Sequence, residues 1–372
     1  MPGQRSEDVV GHPRTLNVPA NLVASVVDLE FGPRPSLRGM ADHTITGAND
    51  DGSGAASTAD EVLAGIDLSG RTVVVTGGYS GLGLAATRAL AGAGASVVVP
   101  ARRPDVARRA LDGVEGVEID RLDLADLDSV RTFAEGFRRG HGGLDILIAN
   151  AGVMACPETR VGPGWELQFA TNHLGHYALT NLLWPALTAV GRARVVAVAS
   201  GYDPGWSIRW DDVRFAGDYD KWAAYGQSKL ANILFARHLD RVGRERGVHA
   251  FSVNPGWVLT SLQRHLTAGE MVGAGWIDAD GNPAPGLFRT PEQGAASLVW
   301  AATSPVLDDH GGDYCADCRV SRDGPGHSDE AARLWTLSAR LTGLDVAASP
   351  HRRGRRAPFR RSAGNEPRSP PP

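Results

Sequence analysis

The sequence predicts an α/β fold, a single domain in which a doubly wound parallel sheet of about seven strands is covered by helices on both faces. Two observations support this prediction. Short runs of β-branched and aliphatic residues recur through the chain, and segments with helical spacing of apolar residues separate them. Strands that are apolar on both sides and alternate with helices belong to parallel sheets buried between two helical layers.

The ordered region begins near residue 57, where Thr58 and Glu61 form the signature of a helix capping box. The first strand is RTVVVTGG at 71–78, and LGLAATRALAGAGA at 82–95 has the spacing of a helix that closes on glycine. The same reasoning predicts further strands at 95–101, 116–124, 144–152, 192–200, 249–256 and 311–318. It predicts further helices at 106–114, 124–140, 166–190, 220–243 and 291–303.

Both ends of the chain differ in composition from this region. Residues 1–58 are rich in Gly, Ser, Asp and Pro and lack apolar periodicity, which predicts a disordered extension, and Met40 offers an alternative translation start. Residues 347–372 are predicted to be a disordered tail, and its stretch 351–372 holds seven arginines and five prolines. We favour a solvated tail over one that contacts nucleic acid or an anionic surface. The domain is therefore expected at 59–346.

The overall composition argues against several classes of protein. The chain is 42% hydrophobic and 22% charged with a net charge of −4, so no surface for nucleic acid is expected on the domain. No run of 18 apolar residues predicts a membrane span, and the start MPGQRSEDVV lacks the pattern of a secretory signal. Three cysteines make a poor disulfide framework, which favours a reducing, cytoplasmic location.

Two of the cysteines, Cys315 and Cys318, form a CxxC pattern. A zinc or redox site is one interpretation, but the two further ligands that zinc would need are not evident in the sequence. We favour buried small side chains near the end of a strand, and no metal ligand is predicted.

A glycine-rich loop, TGGYSGLG at 76–83, lies between the first strand and its helix. Gly77, Gly81 and Gly83 would let the backbone turn tightly and approach a pyrophosphate, which would rest on the N-terminus of the helix. An ordinary glycine turn is the alternative. The position at the first strand–helix connection favours nucleotide binding.

A tyrosine and a lysine four residues apart, Tyr225 and Lys229, lie in the stretch YGQSKL. Of the 38 Lys and Arg residues only Lys221 and Lys229 are lysines, so a lysine here suggests a need for a compact ammonium rather than a planar guanidinium. The two side chains share one helix face and can converge. An ammonium near a phenol would lower its pKa, which suits proton exchange, whereas the alternative is an ordinary surface pair.

Together these motifs resemble the short-chain dehydrogenase/reductase family over roughly residues 65–345, and most closely its retinol-dehydrogenase-like and WW-domain-oxidoreductase-like branch. The matching motifs, in chain order, are TGGYSGLG at 76–83, DL at 123–124, ANAG at 149–152, Asn172 in TNHLGH, Ser200, YGQSK at 225–229 and NPGWVLT at 254–260. Two positions depart from the common pattern, because Ala149 replaces the first residue of NNAG and Ala199 replaces the first of two serines. Neither change removes a reacting group.

The resemblance implies a Rossmann-type fold and an oxidoreductase that interconverts an alcohol and its ketone or aldehyde with a nicotinamide cofactor. By the same resemblance Tyr225 would exchange the proton, Ser200 would hydrogen-bond the substrate oxygen, Lys229 would hold the nicotinamide ribose, and Asn172 would relay protons through a water. The resemblance also implies cofactor contacts at Thr76, Gly77, Tyr79, Ser80, Gly81, Leu82, Gly83, Asp123, Leu124, Asn150, Ala151, Gly152, Tyr225, Lys229, Pro255, Gly256, Val258 and Thr260.

The choice of cofactor depends on the end of the second strand. An acidic residue about 20 residues past the glycine loop would bind the ribose of NAD. This chain has Arg102 and Arg103 there, and guanidinium groups suit a 2′-phosphate, so NADP(H) is predicted over NAD(H). The alternative is that both arginines are only solvated.

Aromatic residues give a weaker indication of the substrate. Five tryptophans flank the predicted site: Trp206, Trp210, Trp222, Trp257 and Trp276. Their density favours a bulky apolar alcohol or carbonyl compound as the small-molecule partner, with structural or partner-surface roles as the alternative. His173 and His176, beside Asn172, are interpreted as packing or surface residues. The sequence leaves a homo-oligomer open.

Two other functions remain open from the sequence alone. A non-catalytic NADP(H)-binding regulator or scaffold could share this fold, although it would not need all four of the predicted catalytic residues. A sugar-nucleotide epimerase or dehydratase would be expected to have TGxxGxxG and a larger C-terminal substrate domain, and the sequence has neither.

Overall fold

The computed structural model describes residues 52–347 except residues 323, 326 and 327. The predictions for residues 1–51, including the alternative start at Met40, and for the tail at 348–372 therefore fall outside the described residues. Residues 55–56 form a turn, and the carbonyl of Ala56 accepts a hydrogen bond of 3.3 Å from Gln293 Nε2.

An eight-stranded sheet lies at the centre of the described chain, beside a separate two-stranded hairpin formed by β5 and β6. In chain order the strands are β1 Thr72–Val75, β2 Ser96–Ala101, β3 Val117–Arg121, β4 Ile146–Ala149, β5 Arg160–Val161, β6 Trp165–Glu166, β7 Ala193–Val198, β8 Val248–Asn254, β9 Tyr314–Ala316 and β10 Arg319–Val320.

The order across the large sheet is β3-β2-β1-β4-β7-β8-β9-β10. All neighbours pair in parallel except β9 and β10, which are antiparallel. The predicted parallel sheet of about seven strands is confirmed, and β10 adds a short eighth strand. Asp317 and Cys318 join β9 to β10 with φ angles of 55° and 54°, the positive values that a tight two-residue hairpin turn requires.

Helices cover both faces of the sheet. They are α1 Ala59–Val62, α2 Gly81–Gly92, α3 Pro104–Ala110, α4 Leu127–Gly140, α5 Leu167–Phe169, α6 Gly175–Val190, α7 Lys221–Gly243, α8 Ala268–Gly273, α9 Pro291–Thr303 and α10 Ser328–Thr342. The capping box predicted before α1 is confirmed, because Thr58 Oγ1 accepts from Glu61 N and Glu61 Oε2 accepts from Thr58 N.

The long helix predicted at 166–190 is interrupted. A π-helical turn at Ala170–Leu174 joins α5 to α6. Gly175 follows this turn at a close crossing, because a Cβ there would lie 2.3 Å from the carbonyl oxygen of Leu124. The apolar periodicity of the segment is continuous, so it could not reveal this local change in helix type.

Other helices also differ from the predictions, and the short α8 was not among those predicted. The helix predicted at 106–114 begins two residues earlier, because Pro104 has the φ angle of a first helical residue and needs no N–H there. Helix α10 was not predicted, although Leu334, Trp335 and Leu337 bury one of its faces in the core.

Successive residues of the strands point to opposite sides of the sheet and build two cores. Val73 and Val75 pack with apolar residues of α2 and α9 on one side. Val74 packs with residues of α4, α6 and α7 on the other. The crossover from β3 to β4 carries the chain to the other side of β1, so a crevice forms where β1 and β4 end, the place where such sheets bind ligands.

The CxxC pattern lies at the far edge of the sheet. Cys315 and Cys318 are both buried, and the backbone N–H of Cys318 donates a 3.0 Å hydrogen bond to Ser297 Oγ. This is the packing role that we favoured. Within residues 52–347, apart from the three undescribed positions, no group of three or more His, Cys, Asp or Glu residues could hold a metal ion.

Among the described residues, no helix is both long enough and apolar enough to span a membrane.

Candidate active site

The predicted site residues lie on one edge of the sheet. Each follows the carboxyl end of a parallel strand by one or two residues: Thr76 after β1, Arg102 after β2, Asp123 after β3, Asn150 after β4, Ser200 after β7 and Pro255 after β8. Because neighbouring parallel strands end at the same edge, the fold gathers residues that are far apart in the sequence.

The glycine loop forms a narrow cradle at this edge. Gly77 has a φ of 65°, and a Cβ there would lie 3.1 Å from the Cα of Ala151. A Cβ on Gly83 would lie 2.3 Å from the carbonyl oxygen of Gly77. Side chains are therefore excluded where the loop enters α2, which leaves backbone N–H groups accessible to a phosphate group. These residues fit the predicted dinucleotide.

Thr76 ties this loop to the end of β4. Its Oγ1 accepts hydrogen bonds from Asn150 N at 2.9 Å and from Ala151 N at 3.0 Å. Its carbonyl oxygen accepts from Asn150 Nδ2 at 2.8 Å. The two segments that the family resemblance assigned to the cofactor are thus held together by direct hydrogen bonds.

His176 joins this network, which the sequence did not predict. The ring is buried, with Nε2 2.8 Å from Thr76 Oγ1 and Nδ1 2.9 Å from the carbonyl oxygen of Asn172. Because a carbonyl can only accept, Nδ1 carries the proton and Nε2 accepts from the Thr76 hydroxyl. Burial lowers the pKa of His176 to about 4, which keeps the ring neutral. His173 is also buried, with Nε2 2.8 Å from Ser338 Oγ, and fills the packing role that we predicted.

Tyr225 and Lys229 lie in α7, which Asp220 caps at its N-terminus. Lys229 Nζ is 5.6 Å from the centroid of the Tyr225 ring and donates a 3.0 Å hydrogen bond to the Val198 carbonyl. The Ser200 side chain hydrogen-bonds Tyr225. The structure therefore brings Ser200, Tyr225 and Lys229 together, as predicted.

Burial controls the protonation of this group. It raises the pKa of Tyr225 to about 12, against the lowering effect of the Ser200 hydrogen bond. It lowers the pKa of Lys229 to about 8. We expected Lys229 to lower the pKa of Tyr225, but for the chain alone the lowering comes from Ser200 and is outweighed by burial.

Asn172 lies in the π-helical turn, and its side chain has fixed partners. Oδ1 accepts from Val153 N, while Nδ2 donates to Val153 O and Ser228 Oγ, each at 2.9 Å. A Cβ on Gly152 would lie 3.2 Å from Asn172 Oδ1 and 3.8 Å from Lys229 Nζ. Asn172 and Lys229 therefore border the same glycine at the end of β4.

An apolar cluster packs around the buried Tyr225. Its other members come from four segments of the chain: Met154, Ala155, Trp222, Leu262, Leu266 and Trp276. The ring centroid of Trp276 is 5.3 Å from that of Trp257 and 6.1 Å from that of Trp222. Three of the five predicted tryptophans thus lie in or next to this apolar cluster.

The other two tryptophans pack elsewhere. A Cβ on Gly226 would lie 2.6 Å from the ring of Trp206, so this ring lies flat against α7. The ring of Trp210 lies 4.1 Å from the guanidinium of Arg333. Trp206 and Trp210 therefore have the structural role that the sequence analysis gave as an alternative to contact with the substrate.

An ion pair connects α7 to α8. Lys221, the first residue of α7, pairs with Glu270 of α8. The sequence had assigned no role to Lys221, because its partner lies 49 positions away in a segment without a clear pattern.

Sequence comparison places these features among known proteins. The chain matches the profile of the short chain dehydrogenase family over residues 71–271. It is 44% identical over 295 residues to a probable oxidoreductase of Streptomyces lividans, covering 74% of this chain and 98% of the relative. It is 36% identical over 303 residues to retinol dehydrogenase 14 of Homo sapiens, covering 74% of this chain and 88% of the relative.

A solved structure has the same fold. It is that of a proposed NAD(P)-dependent gluconate 5-dehydrogenase of Beutenbergia cavernae with bound NADP at low occupancy. The two chains superpose with a TM-score of 0.52 at 28% identity, covering 68% of this chain and 97% of the other.

Proposed function

The chain belongs to the short chain dehydrogenase family of oxidoreductases, and we propose that it uses NADP(H) to interconvert a primary or secondary alcohol with its aldehyde or ketone. The observation that carries the proposal is that Tyr225 and Lys229 are buried beside Ser200, with Asn172 across Gly152, next to the glycine cradle. A protein that only binds the nucleotide would not need these four side chains to lie close together.

In the proposed reaction Tyr225 is the general acid for carbonyl reduction. The bound nicotinamide supplies a hydride to the carbonyl carbon. Tyr225 gives its proton to the carbonyl oxygen, and the Ser200 hydroxyl, already hydrogen-bonded to the phenol, stabilises the charge that develops on that oxygen. The raised pKa of Tyr225 keeps the phenol protonated at neutral pH, which suits the reductive direction.

Lys229 and Asn172 support this proton transfer. The ammonium of Lys229 has three donors, of which the Val198 carbonyl takes one, so two remain for the hydroxyls of the nicotinamide ribose. The π-helical turn at Asn172 widens the helix next to Gly152, and such turns are frequent at functional sites. We propose that protons reach Lys229 from this side, through a water held by Asn172.

NADP(H) is proposed over NAD(H) because of Arg102 and Arg103. Both side chains are exposed at the end of β2, where an acidic residue would serve NAD. The Beutenbergia cavernae neighbour, whose described structure holds NADP, supports a nicotinamide nucleotide in this crevice.

A bulky apolar substrate is proposed on the basis of the apolar cluster around Tyr225. Tryptophan, leucine and methionine side chains pack around this residue, and a site bordered by such side chains favours an apolar ligand. The name of the human relative, retinol dehydrogenase 14, agrees with an extended apolar alcohol.

The test is NADPH consumption against bulky aromatic, polyketide, steroid and retinoid carbonyl compounds. Turnover by the natural chain and its loss in Tyr225→Phe, with NADPH affinity retained, are expected. NADPH binding without turnover of any compound would instead favour the non-catalytic regulator. No binding of either nicotinamide nucleotide would remove the basis of the whole proposal.

A further inference from the structure

Ala155, which lies shortly after β4, has an unusual backbone conformation. Its φ angle is 48°, in the left-handed region that is unfavourable for a residue with a Cβ. The residue is fully buried and packs in one cluster with Met154 and Tyr225. Such a conformation persists only where the surroundings fix it, and residues of this kind concentrate at active sites. We therefore looked for the groups that hold Ala155 in place.

Gln168 supplies one of these groups. Its Oε1 accepts a 2.9 Å hydrogen bond from the backbone N–H of Ala155. The Gln168 side chain is completely buried and belongs to the short helix α5, which Glu166 caps by accepting from the N–H groups of Gln168 and Phe169. Loss of the bond from Ala155 would leave a buried N–H without this partner at a position that is already strained.

The other end of the Gln168 amide reaches the helix that carries Tyr225. Its Nε2 donates to the Lys221 carbonyl at 2.9 Å and to Tyr219 Oη at 3.1 Å. Lys221 is the first residue of α7 and precedes Tyr225 by one helical turn. The orientation of the amide is fixed chemically, because a backbone N–H can only donate and a carbonyl can only accept. One buried amide thus joins the backbone of Ala155 to the first turn of α7.

Two further side chains hold the same segment. The Tyr219 hydroxyl accepts from Gln168 and donates a 2.8 Å hydrogen bond to the Cys156 carbonyl. Asn172, in the next turn of the helical segment that holds Gln168, binds both the N–H and the carbonyl of Val153 at 2.9 Å. The segment from Val153 to Cys156 is therefore fixed at both ends by side-chain hydrogen bonds.

We propose that Gln168 is a positioning residue for the general acid Tyr225 and that it acts by holding Ala155 in its left-handed conformation. This inference rests on the proposed function, in which Tyr225 gives its proton to the carbonyl oxygen. Without the bond from Gln168, Ala155 would relax toward a negative φ, and the packing of Met154 and Ala155 with Tyr225 would change. Loss of Gln168 is therefore expected to slow the chemical step rather than to weaken NADPH binding.

The first variant is Gln168→Met, which keeps a side chain of similar length and removes the amide. The rate of NADPH oxidation in a single turnover with the best carbonyl substrate is expected to fall about tenfold, and the Kd for NADPH is expected to stay within about twofold of the natural chain.

Gln227→Met is the matched control. Gln227 is also a buried helical glutamine, which accepts from Arg209 N at 2.8 Å and donates to the Val213 carbonyl at 3.0 Å. Val213 packs in a different apolar cluster from Tyr225. Gln168→Met and Gln227→Met are both expected to lower the melting temperature, and only Gln168→Met is expected to slow the single turnover.

Ala155→Gly tests whether Gln168 acts through the backbone of Ala155. Glycine adopts the left-handed conformation without strain, so the backbone no longer needs Gln168 to hold it there. In the Ala155→Gly background, Gln168→Met is expected to slow the single turnover only about twofold. The melting temperature is still expected to fall, because the N–H of residue 155 and the Lys221 carbonyl lose their partner in both backgrounds.

An equal loss of rate in both backgrounds overturns the inference, since Gln168 would then not act through Ala155. An unchanged rate in Gln168→Met, or an equal loss of rate in Gln227→Met, also overturns it, because the role of Gln168 would then be structural only. If Tyr225→Phe abolishes turnover and Gln168→Met keeps the natural rate, only this inference fails. Full turnover by Tyr225→Phe would remove the proposed function itself.

Tyr219→Phe keeps the inference testable if Gln168→Met does not fold. This change removes only the hydroxyl that bridges Gln168 and the Cys156 carbonyl. The single turnover is expected to slow about threefold, and the loss is expected to be smaller in the Ala155→Gly background. A loss of the same size in both backgrounds would again overturn the inference.

Discussion

At the scale of single residues, the geometry of Lys229 explains why this position holds one of the two lysines in the chain. The side chain is buried, and its ammonium reaches the Val198 carbonyl while lying beside the Tyr225 ring. A guanidinium spreads its donors over a larger plane and cannot occupy the same point.

Lys229→Arg is therefore expected to lower kcat/KM at least about a hundredfold, which is about 2.7 kcal/mol of transition-state stabilisation. The measurement is steady-state kinetics on the best carbonyl substrate, with NADPH binding measured separately. Lys221→Arg is the matched control, since arginine can keep the ion pair with Glu270, and it is expected within about twofold of the natural chain. Equal, small effects of both changes would mean that Lys229 has no catalytic role.

The protonation of Lys229 gives a prediction about pH. Burial lowers its pKa to about 8, so the ammonium is present below that pH and is lost above it. The phenol of Tyr225, with a pKa of about 12, stays protonated throughout this range. We expect kcat/KM for reduction to be flat near neutral pH and to fall through a midpoint near pH 8. Lys229→Arg keeps its charge, so its residual activity is expected to lack this decline.

His176 is a positioning residue that touches no predicted reacting atom. Removal of its ring would leave the Thr76 hydroxyl and the Asn172 carbonyl without this partner in the core. His176→Leu is expected to lower NADPH affinity and the melting temperature together, because an unpaired buried polar group costs about 1–3 kcal/mol. His176→Gln, which can both donate and accept, is expected to recover part of both. Normal NADPH affinity in the leucine variant would show that the ring does not hold the glycine loop.

At the scale of secondary-structure elements, much of the framework could be predicted and some of the site could not. The strands and the glycine loop were predictable because apolar runs and local turn chemistry carry their own signals. The π-helical turn at Ala170–Leu174 has no such signal, since periodicity does not distinguish it from the α-helix around it. His176 joins the site only through contacts across the fold, which a single sequence does not record.

The ion pair between α7 and α8 leads to a prediction about these two elements. Lys221 and Glu270 join the start of α7 to the segment that carries Trp276 into the apolar cluster around Tyr225. Both side chains are partly shielded from water, so the pair is expected to hold this segment in place at the upper end of what such pairs contribute, about 1 kcal/mol.

Lys221→Met, which keeps the apolar stem, is expected to raise the KM for a bulky substrate about three- to fivefold with little change in kcat. Glu270→Gln is expected to do the same, and the double variant is expected to be no worse than either single one. Additive effects on KM would show that the two residues act independently. The ion pair would then not hold the segment from α8 to Trp276 in place.

At the scale of the whole molecule, two contacts near residue 347 mark where the domain ends. Asp345 Oδ1 accepts from Trp335 Nε1, and Val346 N donates to Asn181 Oδ1, each at 2.9 Å. Val346 also packs in the core beneath α6. At the other end Ala56 is bonded to α9. The packed residues thus include Ala56 and Val346, and the domain bounds of 59–346 stay a prediction.

A shortened chain of residues 52–347 is therefore expected to fold and to bind NADPH within about twofold of the full chain, since the removed segments lack apolar periodicity that could pack on the domain. A chain of residues 52–343 is the control. It loses the contacts of Asp345 and Val346, so its melting temperature is expected to fall by about 4 °C or more, on the basis that 1 kcal/mol corresponds to about 2–4 °C in domains of this size. Calorimetry and NADPH titration measure both chains. Insolubility or weak NADPH binding of the 52–347 chain would show that one of the removed segments contributes to the domain, and the binding site would then have to be redrawn to include it.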